Sequence, residues 1–255
     1  MKARTLWWLG ALVAAVAMPF AANAQTETPP VAVAKPPALS AQDLAFGRFI
    51  ALIRAHLATG DELVAQRQWD AASAHFSFPT EEIYGVIRDQ IRIYNTPPFD
   101  YALKALARAV KSRDAKQFPK ARLKVEDALA AADAGLKVRQ PNWPRFTLAV
   151  AVAVLKSAPD EYDDAVAKGP NLGRIVRPIG YQTARGFIVQ ADRMVESVAG
   201  ELGASNAAAL ADIRVGLTQI KANFGSVTAP KEMALTDAAL QSAVGKVELA
   251  AAPLM

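Results

Sequence analysis

The sequence predicts an all-α fold, a helical bundle of antiparallel hairpins packed as two halves. Three observations carry this expectation. Apolar residues recur at three- and four-residue steps along most of the chain. Alanine is abundant throughout, which favours helix. No segment alternates convincingly as a half-buried strand does. Ala149 to Leu155 alternates Ala with Val, but Phe146, Val150, Ala153 and Val154 fit a helical face equally well.

The first residues read as an export signal. Lys2 and Arg4 precede an apolar run from Leu6 to Phe20, and Ala22-Asn23-Ala24 supplies the small-x-small site, with cleavage expected before Gln25. The rival reading, an uncleaved anchor, needs ~20 apolar residues, and the run breaks near Pro19. Export places the working protein in the periplasm. Losing the two cations of residues 1–24 takes the net charge from +5 to +3. That is an ordinary surface, and it does not call for nucleic acid. The chain has no cysteine, which excludes a lipid-modified cysteine, disulfides, catalytic thiols and thiolate metal sites. No later segment is long and apolar enough to span a membrane.

Residues 25–40, with four prolines and little bulk, read as an extended tether. Ser40 then stands as the N-cap of a helix over 41–65, whose apolar face is Phe46, Phe49, Ile50, Ile53, Leu57 and Val64. A short helix is expected from Trp69 to Phe76. Pro79 with Glu81 and Glu82 opens a third, with a stripe of Ile83, Val86, Ile87, Ile91 and Tyr94. Helices over 99–112 and 119–136 complete an N-terminal half, 41–139. The break Gln140-Pro141-Asn142-Trp143-Pro144 starts a C-terminal half, 140–255. Its helices are expected near 145–157, 159–168, 180–200, 205–223 and 236–249. Ser157, Ser205 and Thr236 stand at cap positions. Residues 169–179 form the longest irregular stretch. Leu63 to Ala72 and Ala109 to Ala121 share a plan: helix end, polar turn, aromatic, small residue. With 49 residues between copies and no third copy, this is a shared hairpin solution and not a solenoid repeat.

Two histidines, His56 and His75, both fall in the first hairpin. His56 lies on the apolar stripe, and His75 ends the second helix. Imidazole binds transition metals well, and a carboxylate at Glu82, which flanks the buried face, is the expected third ligand. The same positions also suit hydrogen-bonded core histidines, and Glu81 and Glu82 suit a helix N-terminus without any metal. Neither HExxH nor HxxH spacing is present. A second cluster, Asp160-Glu161-Tyr162-Asp163-Asp164, reads either as an acidic first turn behind Pro159 or as a cation site through Glu161 and Asp164. The basic stripe Lys104, Arg108 and Lys111 reads as a solvated face, with attraction to anionic lipid as the alternative. Enzyme signatures are missing. There is no GxSxG and no Walker A loop, and Gly169 to Gly173 lacks the lysine that a phosphate loop requires.

The run Glu161-Tyr162-Asp163-Asp164-Ala165-Val166, then Gly169, then Tyr181-Gln182-x-Ala184-Arg185-Gly186-Phe187 resembles the periplasmic helical domain that precedes some bacterial high-affinity iron permeases. The resemblance covers about 145–250. One departure is Gly180, where the family pattern places an acid before Tyr181. The N-terminal half, with His56, Trp69-Asp70-x-Ala72 and His75-x-x-x-Pro79-x-Glu81-Glu82, resembles a broad group of exported bacterial helical proteins. The resemblance implies a non-enzymatic accessory protein that handles iron or another transition metal beside an envelope transporter. The competing expectation is a metal-free helical module that binds another envelope protein. The candidate metal ligands are His56, His75, Glu82, Glu161 and Asp164.

Overall fold

The structure, a computed structural model, describes residues 38–169 and 172–255. The signal expected at 1–24 and most of the tether lie outside the described residues. Helix α1, Ala41–Ala65, opens with the amide of Asp43 donating to Ser40 Oγ at 3.3 Å. After a tight turn come α2, Trp69–Phe78, and a π-turn at Pro79–Ile83. The third element departs from expectation. Proline lacks the N–H for a regular helical bond, and the chain widens there. Only Tyr84–Ile87, α3, is α-helical, and Ile91–Tyr94 is a 3₁₀ turn. The expected stripe is therefore interrupted, and Val86 is half exposed. Tyr94 stays fully buried, stacked on Phe46 with ring centroids 3.9 Å apart.

The hairpin α4, Asp100–Lys111, and α5, Gln117–Lys137, completes the N-terminal half. The shared hairpin plan is visible in the backbone. Arg67 and Arg113, at matching places in the two turns, both take a left-handed φ, 60° and 54°. Trp69 meets Phe118 edge to face at 5.9 Å, so the two hairpins dock through their matching aromatics. Arg54 binds Glu126 and Asp133, and Arg122 binds Asp61 and Glu126, which ties α1 to α5.

The C-terminal half comprises α6, Trp143–Leu155; α7, Ala158–Ala165; α8, Pro178–Ser197; α9, Ala199–Lys221; and α10, Asp237–Ala251. Thr236 caps α10 as expected. Ser157 does not cap α7; its hydroxyl binds Ala153 O and accepts from Arg48. The break expected at Ser205 falls one residue later. Asn206 leaves helical geometry (φ −157°, ψ 93°), and its side-chain oxygen accepts from the amide of Ala209 at 3.1 Å. Asparagine caps as well as serine does. Only isolated bridges, Val166 with Ile175 and Arg174 with Glu232, occur in place of strands among the described residues. Helix α8 lies at the centre, against α1, α6, α7 and α9. One continuous core of buried side chains runs from Phe46 to Leu254.

Tight backbone approach gives a paired stability prediction. A β-carbon at Gly135 in α5 would stand 1.8 Å from Tyr94 O, a backbone atom that cannot swing away. One at Gly245 in α10 would meet nothing within 4 Å. Gly135→Ala is expected to lower stability by about 1–3 kcal/mol. Gly245→Ala is expected to raise it by roughly 0.5–1 kcal/mol. Urea unfolding midpoints check both signs.

Candidate functional site

The two histidines meet. His56 comes from the middle of α1 and His75 from the last turn of α2, and their Nδ1 atoms stand 3.3 Å apart. His75 is wholly buried and His56 nearly so. His75 Nε2 faces Gln182 Oε1 on α8 at 3.1 Å. A carbonyl oxygen only accepts, so Nε2 carries the proton and His75 Nδ1 is left as an acceptor. His56 Nδ1 must then donate to it. The chain His56→His75→Gln182 fixes both tautomers and joins three helices. Phe78 and Phe187 meet the His56 ring edge on, at 5.6 and 5.5 Å. Burial in this apolar surround lowers the His56 pKa to about 3, with the neighbouring His75 adding to the effect. Burial lowers that of His75 to about 4, against the opposing pull of the Gln182 hydrogen bond. Both rings are therefore neutral at neutral pH, the state in which imidazole can ligate a metal.

Glu82 does not join this pair. It is exposed on the π-turn, about two turns beyond His75. Its charge is felt instead at Glu161, on the first turn of α7. The Glu161 carboxyl is raised above the usual range by burial first, then by Asp164 and Glu82, with Arg177 opposing. Asp164 is paired with Arg177 at 3.0 Å, and Asp163 binds Lys168. The five candidate ligands thus fall into a buried nitrogen pair and an acidic group on α7 and the π-turn. Among the described residues, no three His, Asp or Glu side chains are arranged to hold a metal ion.

The segment Tyr181 to Phe187 accounts for the partners that spacing around the histidines could not supply. Gln182, Arg185 and Gly186 share one face of α8 at i, i+3 and i+4. Gln182 Oε1 accepts the hydrogen bond from His75 Nε2. Arg185 grips Glu62 with both terminal nitrogens, at 2.7 and 3.2 Å, and donates to Phe224 O. A β-carbon at Gly186 would stand 2.4 Å from Thr59 Oγ1, so α8 crosses α1 at close range. Tyr181 donates to Ser226 O at 2.9 Å. Gly180 also has a packing reason. A β-carbon there would lie 2.7 Å from Glu161 O, so the acid of the family pattern would force α7 away from α8.

This segment belongs to a region with known relatives. Residues 137–255 match the family model of the iron permease-associated 4-helix bundle domain, which bears out the resemblance of the C-terminal half. The histidine pair lies outside the match, on the helices that the matched domain packs against. No curated protein and no solved structure matches the chain. Among the described residues, no helix is long and apolar enough to cross a membrane.

The depressed histidine pKa values give a pH prediction. Between the unfolded value of 6.5 and the folded values near 4 and 3, the unfolded chain binds protons that the folded chain refuses. Stability is then full above pH 6.5 and falls on acidification, by up to ~1.4 kcal/mol per pH unit per histidine. Thermal melts from pH 7 down to 4 should show this slope. A variant in which both histidines are replaced by glutamine should be less stable at pH 7, with a flatter profile.

Proposed function

We propose that this is an exported, non-enzymatic accessory protein that handles iron beside an iron permease. The observation that carries the reading is the match of residues 137–255 to the iron permease-associated 4-helix bundle domain. The export signal at residues 1–24 supports work in the periplasm. Iron is cargo in this reading, not a resident cofactor. Imidazole nitrogen and carboxylate oxygen are both suitable ligands for iron. His56 and His75 Nδ1 stand 3.3 Å apart, and for both to ligate one ion His56 would carry its ring proton on Nε2, so that each Nδ1 lone pair is free. His75 already donates its one ring N–H, on Nε2, to Gln182, the outer contact that metal-binding histidines need. Two protein nitrogens hold an ion loosely, which fits passing iron on and not storing it. Glu82, Glu161 and Asp164 would collect the cation at the surface.

A second reading has its own support. The histidine pair is satisfied by its own hydrogen bond and by Gln182 without any ion. On that ground the protein is a metal-free helical module that binds another envelope protein, with the transporter as its partner.

Titration of the exported protein with Fe(II) under anaerobic conditions separates the two. Iron handling predicts near-stoichiometric binding that falls at least about tenfold in His56→Gln, because one of two nitrogen ligands is lost. Radioactive iron uptake should also fall when the gene is deleted. If iron, copper and zinc all stay substoichiometric while deletion still lowers uptake, the metal-free module is the better account. Unchanged uptake would end both readings.

A further inference from the structure

The charge of this chain is concentrated in one hairpin. Residues 99–125, covering α4, its turn and the start of α5, contain eight Lys or Arg against two Asp, a net +6. The whole chain carries +5, so all remaining residues together come to −1. Lys104, Arg108 and Lys111 follow the outward face of α4, at steps of four and three. Lys116, just before α5, and Lys120 and Lys124 on its outward face continue at steps of four, and all six are exposed. Lys104 is paired with Asp100 at 3.4 Å. The other five have no ion pair among the described residues. The hairpin also leaves bulky side chains in solvent: Tyr101 is 81% exposed and Leu123 62%. Tyr101, Arg108 and Lys124 flank one groove between the two helices, whose one carboxylate is Asp127.

We propose that the α4–α5 hairpin docks this protein on an anionic lipid surface. Cations along both helices match a sheet of negative headgroups, and long Lys and Arg stems can lie along the boundary with charged ends in water. An exposed Tyr and Leu between such cations suit the interfacial zone of a bilayer, where aromatic and aliphatic groups gain by burial. A nucleic acid backbone would draw on the cations and leave Leu123 unrewarded. The inference is separate from iron handling, because no residue of the histidine or acidic groups takes part.

Sedimentation of the exported protein with phosphatidylcholine vesicles, with and without phosphatidylglycerol, tests it. Binding is expected only with phosphatidylglycerol, and it should weaken as salt rises. Replacing Arg108, Lys111, Lys116, Lys120 and Lys124 with glutamine touches only exposed side chains, and circular dichroism checks that the fold remains. Partitioning should fall about fivefold per cation and roughly three thousandfold for all five. Tyr101→Ser should weaken binding severalfold with the salt dependence unchanged. Inorganic phosphate at constant ionic strength should not compete. Equal binding to neutral vesicles, binding that persists in the neutralised variant, or displacement by phosphate would each overturn the proposal. So would a preference for duplex DNA or an acidic protein over the anionic vesicles. None of these arms reads iron, so their failure leaves the iron reading untouched.

Discussion

His75 has no contact with solvent, and both of its ring nitrogens must therefore find partners inside the protein. That requirement fixes much around it. One nitrogen accepts a hydrogen bond from His56 on α1, and the other donates one to Gln182 on α8. Two successive helices and a third 107 residues further on are held in register by one imidazole. The crossing is close because Gly186 lets α8 approach Thr59 of α1. Arg185 closes the same face by gripping Glu62. A buried, hydrogen-bonded polar chain of this kind specifies one arrangement of helices where an apolar contact would tolerate several.

The match to the iron permease-associated domain acquires a physical meaning from this joint. The face of α8 that carries Gln182, Arg185 and Gly186 is not a free surface. It is the seat of the N-terminal half. The histidines lie outside the matched region, yet their hydrogen bonding depends on it. Residues 137–255 and the helices before them therefore share a single polar chain.

Most of the helical architecture was legible in the sequence, because long amphipathic segments announce themselves by period. Helix α1 has the expected bounds, and Ser40 and Thr236 cap as expected. The misread places are local. After Pro79 the apolar stripe has helical spacing, but the missing N–H opens a π-turn, and the short helix that follows leaves Val86 half exposed. Ser157 and Asn206 differ from expectation because a hydroxyl can serve a distant arginine and an amide can cap in place of its neighbour. At the site, the depth of His56 could be read from its stripe. Its pairing with His75 could not, since that depends on how α1 and α2 pack. The role of Gln182 was out of reach for a similar reason: 107 residues separate it from His75. The face shared by Gln182, Arg185 and Gly186 was the available signal.

The first turn of α1 is clamped to the rest of the fold. Asp43 is almost wholly buried in the first turn, and its carboxylate accepts from Tyr94, Arg139 and Gln140. The hydroxyl comes from the residue stacked on Phe46, and the other two donors come from just beyond α5. The point where the preceding segment joins the fold is thus riveted to residues about a hundred positions away. Helix ends ordinarily fray, and tension on one peels it turn by turn. Here a pull from the N-terminal side meets several charge-assisted bonds before it reaches the histidines. The clamp is a mechanical stop at the entrance to the fold.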